Sequence, residues 1–295
     1  MVFSRITHQT SAIYASMAGR WIGGLVDRLS AGPAAHALSA LAIATIAADV
    51  NGQTNAETIQ PFIEILNRRS FESLLDSSPS LVLLCACIAD RCGGRAPAVL
   101  MDYAELSASG IRGQPSGVSD PSLILPALLA WQLGLLAGPP QAYESSVEPE
   151  RLIGSGPEAA RSAMVVLEAC TMFGLRRVST PPLLAEVLEA IAVDRLQDYD
   201  LELACRVMRA RRYVDSTTSL AVTEFRDFIV ANQDDEGSFG LYDRESEVLR
   251  TAANSKSADL SLKLPVTLAC LWTLAEMDRD DYLIVRDIGM SCRSS

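Results

Sequence analysis

The sequence predicts an all-α protein, and more narrowly an α/α toroid, a closed ring of about six helical hairpins. Three observations carry that expectation. Apolar residues make up 49% of the 295 residues while aromatics are only 6%, and Ala and Leu dominate. Ala and Leu favour helix, whereas β-branched and aromatic residues favour strand. A turn or capping cluster followed by an unusually apolar helix recurs six times, and amphipathic helices lie between the copies.

The six apolar segments start at positions 32, 78, 120, 156, 198 and 261. They read GPAAHALSALAIATIAADV, SPSLVLLCACIADRCG, DPSLILPALLAWQLGLLAG, GPEAARSAMVVLEACTMFGL, DYDLELACRVMRARRYV and SLKLPVTLACLWTLAEM. Several open with Ser, Asp or Gly followed by Pro. That pair suits an N-cap and the first helical position, where the missing proline N–H costs nothing. Amphipathic helices are expected over residues 58–77, 97–109, 181–197 and 219–233, with a further outer helix near 11–30. Fully apolar helices need cover on nearly all sides, and amphipathic ones show a single face to water. Inner helices backed by outer helices satisfy both demands, and a closed ring leaves no terminal repeat uncovered. No linker interrupts the pattern, so residues 1–295 read as a single domain. An open superhelix of helix pairs is the alternative architecture.

Charge and cysteine usage bound the function. Twenty-five basic residues against 36 acidic ones give a net charge of −11, which argues against a nucleic-acid surface. All the basic residues except Lys256 and Lys263 are arginine, the preference of a GC-rich genome. The start lacks the apolar core of a secretion signal, and the seven cysteines are an odd number, so reduced thiols in a cytoplasmic protein are expected. The uncharged stretch 122–138 approaches the length of a membrane span. Pro126, Gln132 and its soluble-looking neighbours favour a buried helix, so no membrane partner is expected.

The stretch FIVANQDDEGSFG, residues 228–240, runs from a helix end into an acidic turn. Phe228-Ile229, Gln233, Gly237 and Phe239 stand at the spacing of the "QW" repeat, and the stretch resembles that motif of terpenoid cyclases and their α/α-toroid relatives, which include protein prenyltransferases. Ile229 and Phe239 stand where the family has Leu and commonly Trp. The resemblance implies a turn after an outer helix in which the Gln side chain bridges helix ends and the aromatic packs over the turn. Along its length the chain is also similar to aziridine-forming natural-product proteins, which eliminate sulfate; no single motif carries that similarity.

The chemistry of these families maps only in part. Asp278-Arg279-Asp280-Asp281 spells the DxDD of proton-initiated cyclases but follows the last apolar helix, where a solvated charge run is expected. Zinc is not expected, because the two histidines, His8 and His36, have no cysteine at ligand spacing, and Cys85, Cys87 and Cys92 lack a fourth ligand. Nucleophile-elbow, P-loop and dinucleotide motifs are missing. No cofactor and no metal are therefore expected.

Candidate site residues come from the starts of the inner helices, whose free N–H groups favour anions, and from two polar features. Asp200, Glu202 and Lys256 are the expected catalytic residues. The carboxylates would stabilise a cation or accept a proton, and the lysine would steady a departing anion. Tyr199, Arg206, Ser257, Asp259, Lys263 and Asp120 are the expected substrate contacts. The segment 251–265 reads as a polar loop carrying both lysines. Arg206, Arg209, Arg212 and Tyr213 recur at helical spacing within an inner helix, where charge is costly unless it is paired or faces a cavity; Asp200 and Glu202 are the expected partners. The expected function is a metal-independent cyclase or lyase of bacterial natural-product biosynthesis. It would close a ring in a small substrate with loss of an anion such as sulfate or phosphate. A non-catalytic scaffold or partner subunit is the alternative, and a two-carboxylate carbohydrate enzyme ranks below both.

Overall fold

The computed structural model describes Met17, Arg20, Trp21 and residues 79–91, 98–112, 123–138, 140, 147–174, 178–215, 217, 219–240 and 255–277. The expected hairpin over 32–77, Asp120, the histidines, Cys92 and Asp278–Asp281 lie outside these residues.

The described residues form helices joined by turns, with one isolated bridge between Gln233 and Phe239 and no strand. In chain order the helices are α1 (Pro79–Arg91), α2 (Ala98–Arg112), α3 (Ile124–Gln132), α4 (Pro149–Leu152), α5 (Pro157–Thr171), α6 (Leu184–Gln197), α7 (Leu201–Val214), α8 (Leu220–Ala231) and α9 (Ser255–Met277). The capping signals act where their chemistry predicts. Gly156 caps α5 with Pro157 as the first helical residue. The side chains of Asp200 and Ser219 accept from the N–H groups of Leu203 and Val222, opening α7 and α8. The two side-chain caps each satisfy a donor the helix leaves unpaired.

Hydrogen-bond register sets the directions. Arg161 reaches Asp200 where α5 and α7 both begin, and Glu168 reaches Arg206 further along both, so the two helices run parallel. Cys205 meets Cys270, Arg209 meets Thr273 and Tyr213 meets Glu276, so α7 and α9 also run parallel. Helix α6 turns back through Asp198–Asp200 and places Glu189 against Arg211 near the far end of α7, so this pair is antiparallel. Helix α7 packs on α5, α6 and α9, while α8 packs on α6 and α9.

Burial separates the layers. Eleven of the fourteen α7 residues are buried, against four of fourteen in α6 and three of twelve in α8. Thus α5, α7 and α9 form an inner layer of parallel helices, and α6 and α8 lie outside it, with α6 antiparallel to α7. The segments starting at 156, 198 and 261 are the inner ones, as their composition predicts. Leu188, Leu203, Met208, Phe225, Leu271 and Leu274 lie in the shared core, and Trp21 packs against it from the start of the chain. Helices α1, α2 and α3 pack on one another, with Leu81–Cys87 buried. Within the expected apolar stretch, Ile124–Gln132 form a nine-residue helix ending in a turn at Leu133 and Gly134. Among the described residues no helix is long and apolar enough to cross a membrane.

One boundary differs from expectation. Helix α9 begins at Ser255, so residues 255–265 are helical rather than a loop. From Ser255 to Leu264 no Gly or Pro interrupts the run, and Ala, Leu and Lys favour helix. Pro265 sits inside the helix and is exposed; its ring removes one backbone donor there.

Candidate functional site

Three buried arginines on α7 need anions, carbonyls or π-faces, because isolated charge in the interior is costly. Arg209, Arg211 and Arg212 are each at most 6% exposed. Arg211 turns outward, its Nε 3.1 Å from Glu189 Oε2 on α6, and it also donates to the carbonyls of Asp215 and Thr217. Arg206 and Arg209 serve the inner layer.

Arg206 holds Glu168 of α5 in a two-pronged bond, Nε to Oε1 at 3.0 Å and Nη2 to Oε2 at 2.6 Å. Such a fork fixes orientation as well as charge. Hydrogen bonding to Glu168, ahead of any cost of burial, raises the Arg206 pKa. One turn on, the Arg209 guanidinium lies 4.4 Å from the centroid of the Trp272 ring on α9, a cation–π contact. Its Nη1 donates to the Ala269 carbonyl at 3.2 Å and to Thr273 Oγ1 at 3.0 Å.

The same indole stacks on Phe173, centroids 6.2 Å apart. Phe173 reaches it from a left-handed turn, with φ of 51° at Met172, 54° at Phe173 and 81° at Gly174. Two consecutive non-glycine residues there are strained. Glu276 closes the cluster: its Oε1 accepts from Tyr213 Oη at 2.7 Å and from Trp272 Nε1. Burial first, then the Glu276 charge, pushes the Tyr213 phenol well above its ordinary value, so it stays a donor.

The cluster therefore gathers two buried carboxylates, two guanidiniums and three aromatic rings along one seam of α5, α7 and α9. Glu168, Arg209, Tyr213, Trp272 and Glu276 lie in the C-terminal halves of these helices and Arg206 near the middle of α7, so the cluster includes the arginine-rich run expected within α7 and stands apart from the helix starts. The reason is local. At the N-terminal turn of α7 the Asp200 side chain is taken up by capping, while Arg206 and Arg209 sit where α7 faces both inner neighbours.

The expected site residues are spread along this layer. Asp200 caps α7 and lies 3.5 Å from Arg161. Glu202 is exposed in the first turn of α7. Tyr199 is 64% exposed, in the left-handed region at the α6–α7 turn. Arg206 belongs to the seam, and its bonded partner is Glu168 rather than Asp200 or Glu202. Lys256, Ser257 and Asp259 lie in the first turns of α9. Lys263 pairs with Asp234 at 3.1 Å, under the turn after α8.

That turn is compact. Gln233 Nε2 donates to the Gly237 carbonyl at 2.9 Å, and Asp234 accepts from the backbone N–H and hydroxyl of Ser238. Phe239 is 1% exposed, and its N–H donates to Thr267 Oγ1 on α9 at 3.0 Å. The turn thus pins α8 to α9, with the aromatic in the core.

Glu168, Phe173, Trp272 and Glu276 escaped the sequence reading. A signal existed for Glu168, a lone carboxylate in the apolar body of an inner helix, whereas Glu276 stands beside the charge run 278–281. Among the described residues no group of His, Cys, Asp or Glu is arranged to hold a metal ion. An open groove of about 400 Å³ lies on the outer layer, lined by Glu186, Ala190, Val193 and Asp194 of α6 and Ala221 of α8. Comparison with protein-family models, curated proteins and solved structures gives no match.

Proposed function

We propose that the chain is a metal-independent cyclase or lyase of bacterial natural-product biosynthesis, acting on a small molecule that loses sulfate or phosphate as a ring closes. The observation that carries the reading is the seam itself: carboxylates and guanidiniums fixed side by side among aromatic rings. In an aziridine-type closure the substrate amine attacks the carbon bearing the ester oxygen. The C–O bond breaks, the anion departs and the N–H proton passes to a carboxylate. Glu168 is the proposed acceptor. Arg206, 32% exposed at its side chain, is the proposed hold on the leaving anion. Fixed groups of this kind act by preorganisation. Asp200, Glu202 and Lys256 remain proposed contributors from the helix starts.

The test is sulfate release from a vicinal amino alkyl sulfate, with cyclised product followed by mass spectrometry. Wild-type protein should release sulfate above the buffer rate, and Glu168→Gln should lose about 10²-fold or more. Equal rates for the two proteins, or no release above buffer, would overturn the reading.

A second reading is a helical partner subunit of a biosynthetic complex. It is favoured by the outer layer, where Leu183, Val193 and Leu220 stand exposed at 67%, 37% and 75%. Sedimentation of the chain with proteins encoded beside it tests this reading; a Val193→Arg variant should weaken any complex formed through this face.

A further inference from the structure

We propose that Cys205 and Cys270 form a redox-active dithiol that closes into a disulfide and locks α7 to α9 beside the Arg209–Trp272 contact. This goes beyond the function proposed above and does not depend on it.

The two sulfurs lie 3.7 Å apart across the α7–α9 seam, and both residues are completely buried. Arg209 follows Cys205 by one helical turn. It is 5% exposed, and among the described residues no carboxylate lies within ion-pair distance of its guanidinium. Its hydrogen bonds go to a carbonyl and a hydroxyl, and neither carries negative charge. A buried cation favours ionisation of a thiol close to it.

The two thiols are not equivalent. Burial alone would push the Cys205 thiol up. Hydrogen bonding to Cys270, the Thr273 hydroxyl and the Arg209 charge outweigh burial and a smaller effect of Glu202, and hold it below its ordinary value of 9.0. Cys270 is pushed well above that value by burial, then by Cys205. Cys85, beside Cys87 in the α1 core, is likewise pushed well up by burial and its neighbour. Cys205 stands one helical turn from Arg209 on the same helix, so it is assigned the attack and Cys270, across the seam at 3.7 Å, the resolving step.

With hydrogen peroxide the steps balance. The Cys205 thiolate attacks one peroxide oxygen, the O–O bond breaks, and the departing hydroxide takes a proton to become water. The Cys270 thiol then displaces hydroxide from the sulfenic acid sulfur, giving the disulfide and a second water. Two thiols are oxidised and one peroxide is reduced. Because both sulfurs are covered, the seam must open for a small neutral oxidant, and the reaction is selective rather than fast.

The experiment treats the full-length protein with hydrogen peroxide and maps its peptides without reduction by mass spectrometry, following helicity by circular dichroism. A Cys205–Cys270 peptide, lighter by two hydrogen atoms, should form before any other pair. It should form with helicity unchanged and revert with dithiothreitol. Arg209→Gln should slow its formation by about threefold or more, since lower thiolate population is only partly offset by higher nucleophilicity. If both thiols persist while other cysteines oxidise, or pair only after helicity is lost, the proposal fails. Should Arg209→Gln not fold, Cys270→Ser decides. A dimedone-trapped sulfenic acid on Cys205 supports the order of attack. Labelling of Cys270 in Cys205→Ser, with none at Cys205 in Cys270→Ser, overturns it.

Discussion

Arg206 and Glu168 share two hydrogen bonds across the parallel α5–α7 pair. Thirty-eight residues separate them in sequence, so the contact is a tertiary tie rather than a feature of one helix. Removing one partner strands the other charge. Glu168→Ala should therefore destabilise the fold by about 2–3 kcal/mol, the range for a charged hydrogen-bonded group, read as a lower urea midpoint. Replacing both residues with leucine should recover much of that loss, because an apolar pair leaves no uncompensated charge. A double variant as unstable as the sum of the two singles would contradict the tie.

Asp200 invites a separation of roles. As the N-cap of α7 its side chain accepts from Leu203 N–H at 3.2 Å. Asp200→Ala should cost about 1 kcal/mol, whereas Asp200→Ser should keep most of the cap. If turnover falls in Asp200→Ser while the melting temperature holds, the carboxylate acts chemically. If both hold, it is a cap alone.

The turn after α8 should respond to acid. Desolvation would raise the Asp234 pKa, but hydrogen bonds from Ser238 and Lys263 and the lysine charge outweigh it and hold the group below its ordinary value of 3.8. A depressed carboxylate contributes stability that is present above the unfolded-chain value and fades as pH falls through the folded one. Asp234→Asn should flatten the stability profile below about pH 4, and the difference from wild type should vanish at still lower pH. A difference that persists undiminished there would mean that Asp234 acts by shape, not charge.

Phe239 offers a direct test of the α8–α9 pin. It is 1% exposed and its backbone bonds Thr267. Phe239→Ala should cost about 3–5 kcal/mol, the loss expected of a buried aromatic. Gly237, at φ 100°, should also resist alanine, though less severely. Chemical denaturation of the two variants gives the order.

The helical layers were legible because their signals are local. The Gly156-Pro157 cap, the Asp200 cap and the contrast between the 181–197 and 198–214 segments each lie within a few residues of chain. The polar seam was half legible. Arg206, Arg209 and Tyr213 stand out inside an apolar helix, and their need for partners follows from electrostatics. Their partners do not follow from it. Glu168 and Glu276 lie 38 and 63 residues away from Arg206 and Tyr213, and only the parallel packing of α5, α7 and α9 brings them there. The start of α9 was missed because serine and lysine read as loop when no neighbouring break is weighed.

Trp21 carries a consequence for how the chain is made. Its indole rests on a core assembled from residues 147–274, and a ribosome adds about 5–20 residues each second. The tryptophan is therefore made roughly ten seconds or more before the core it packs against is complete. Contacts that join distant parts of a chain also slow folding. A residue made early thus settles against a core that is complete only once residues as late as Leu274 have been made.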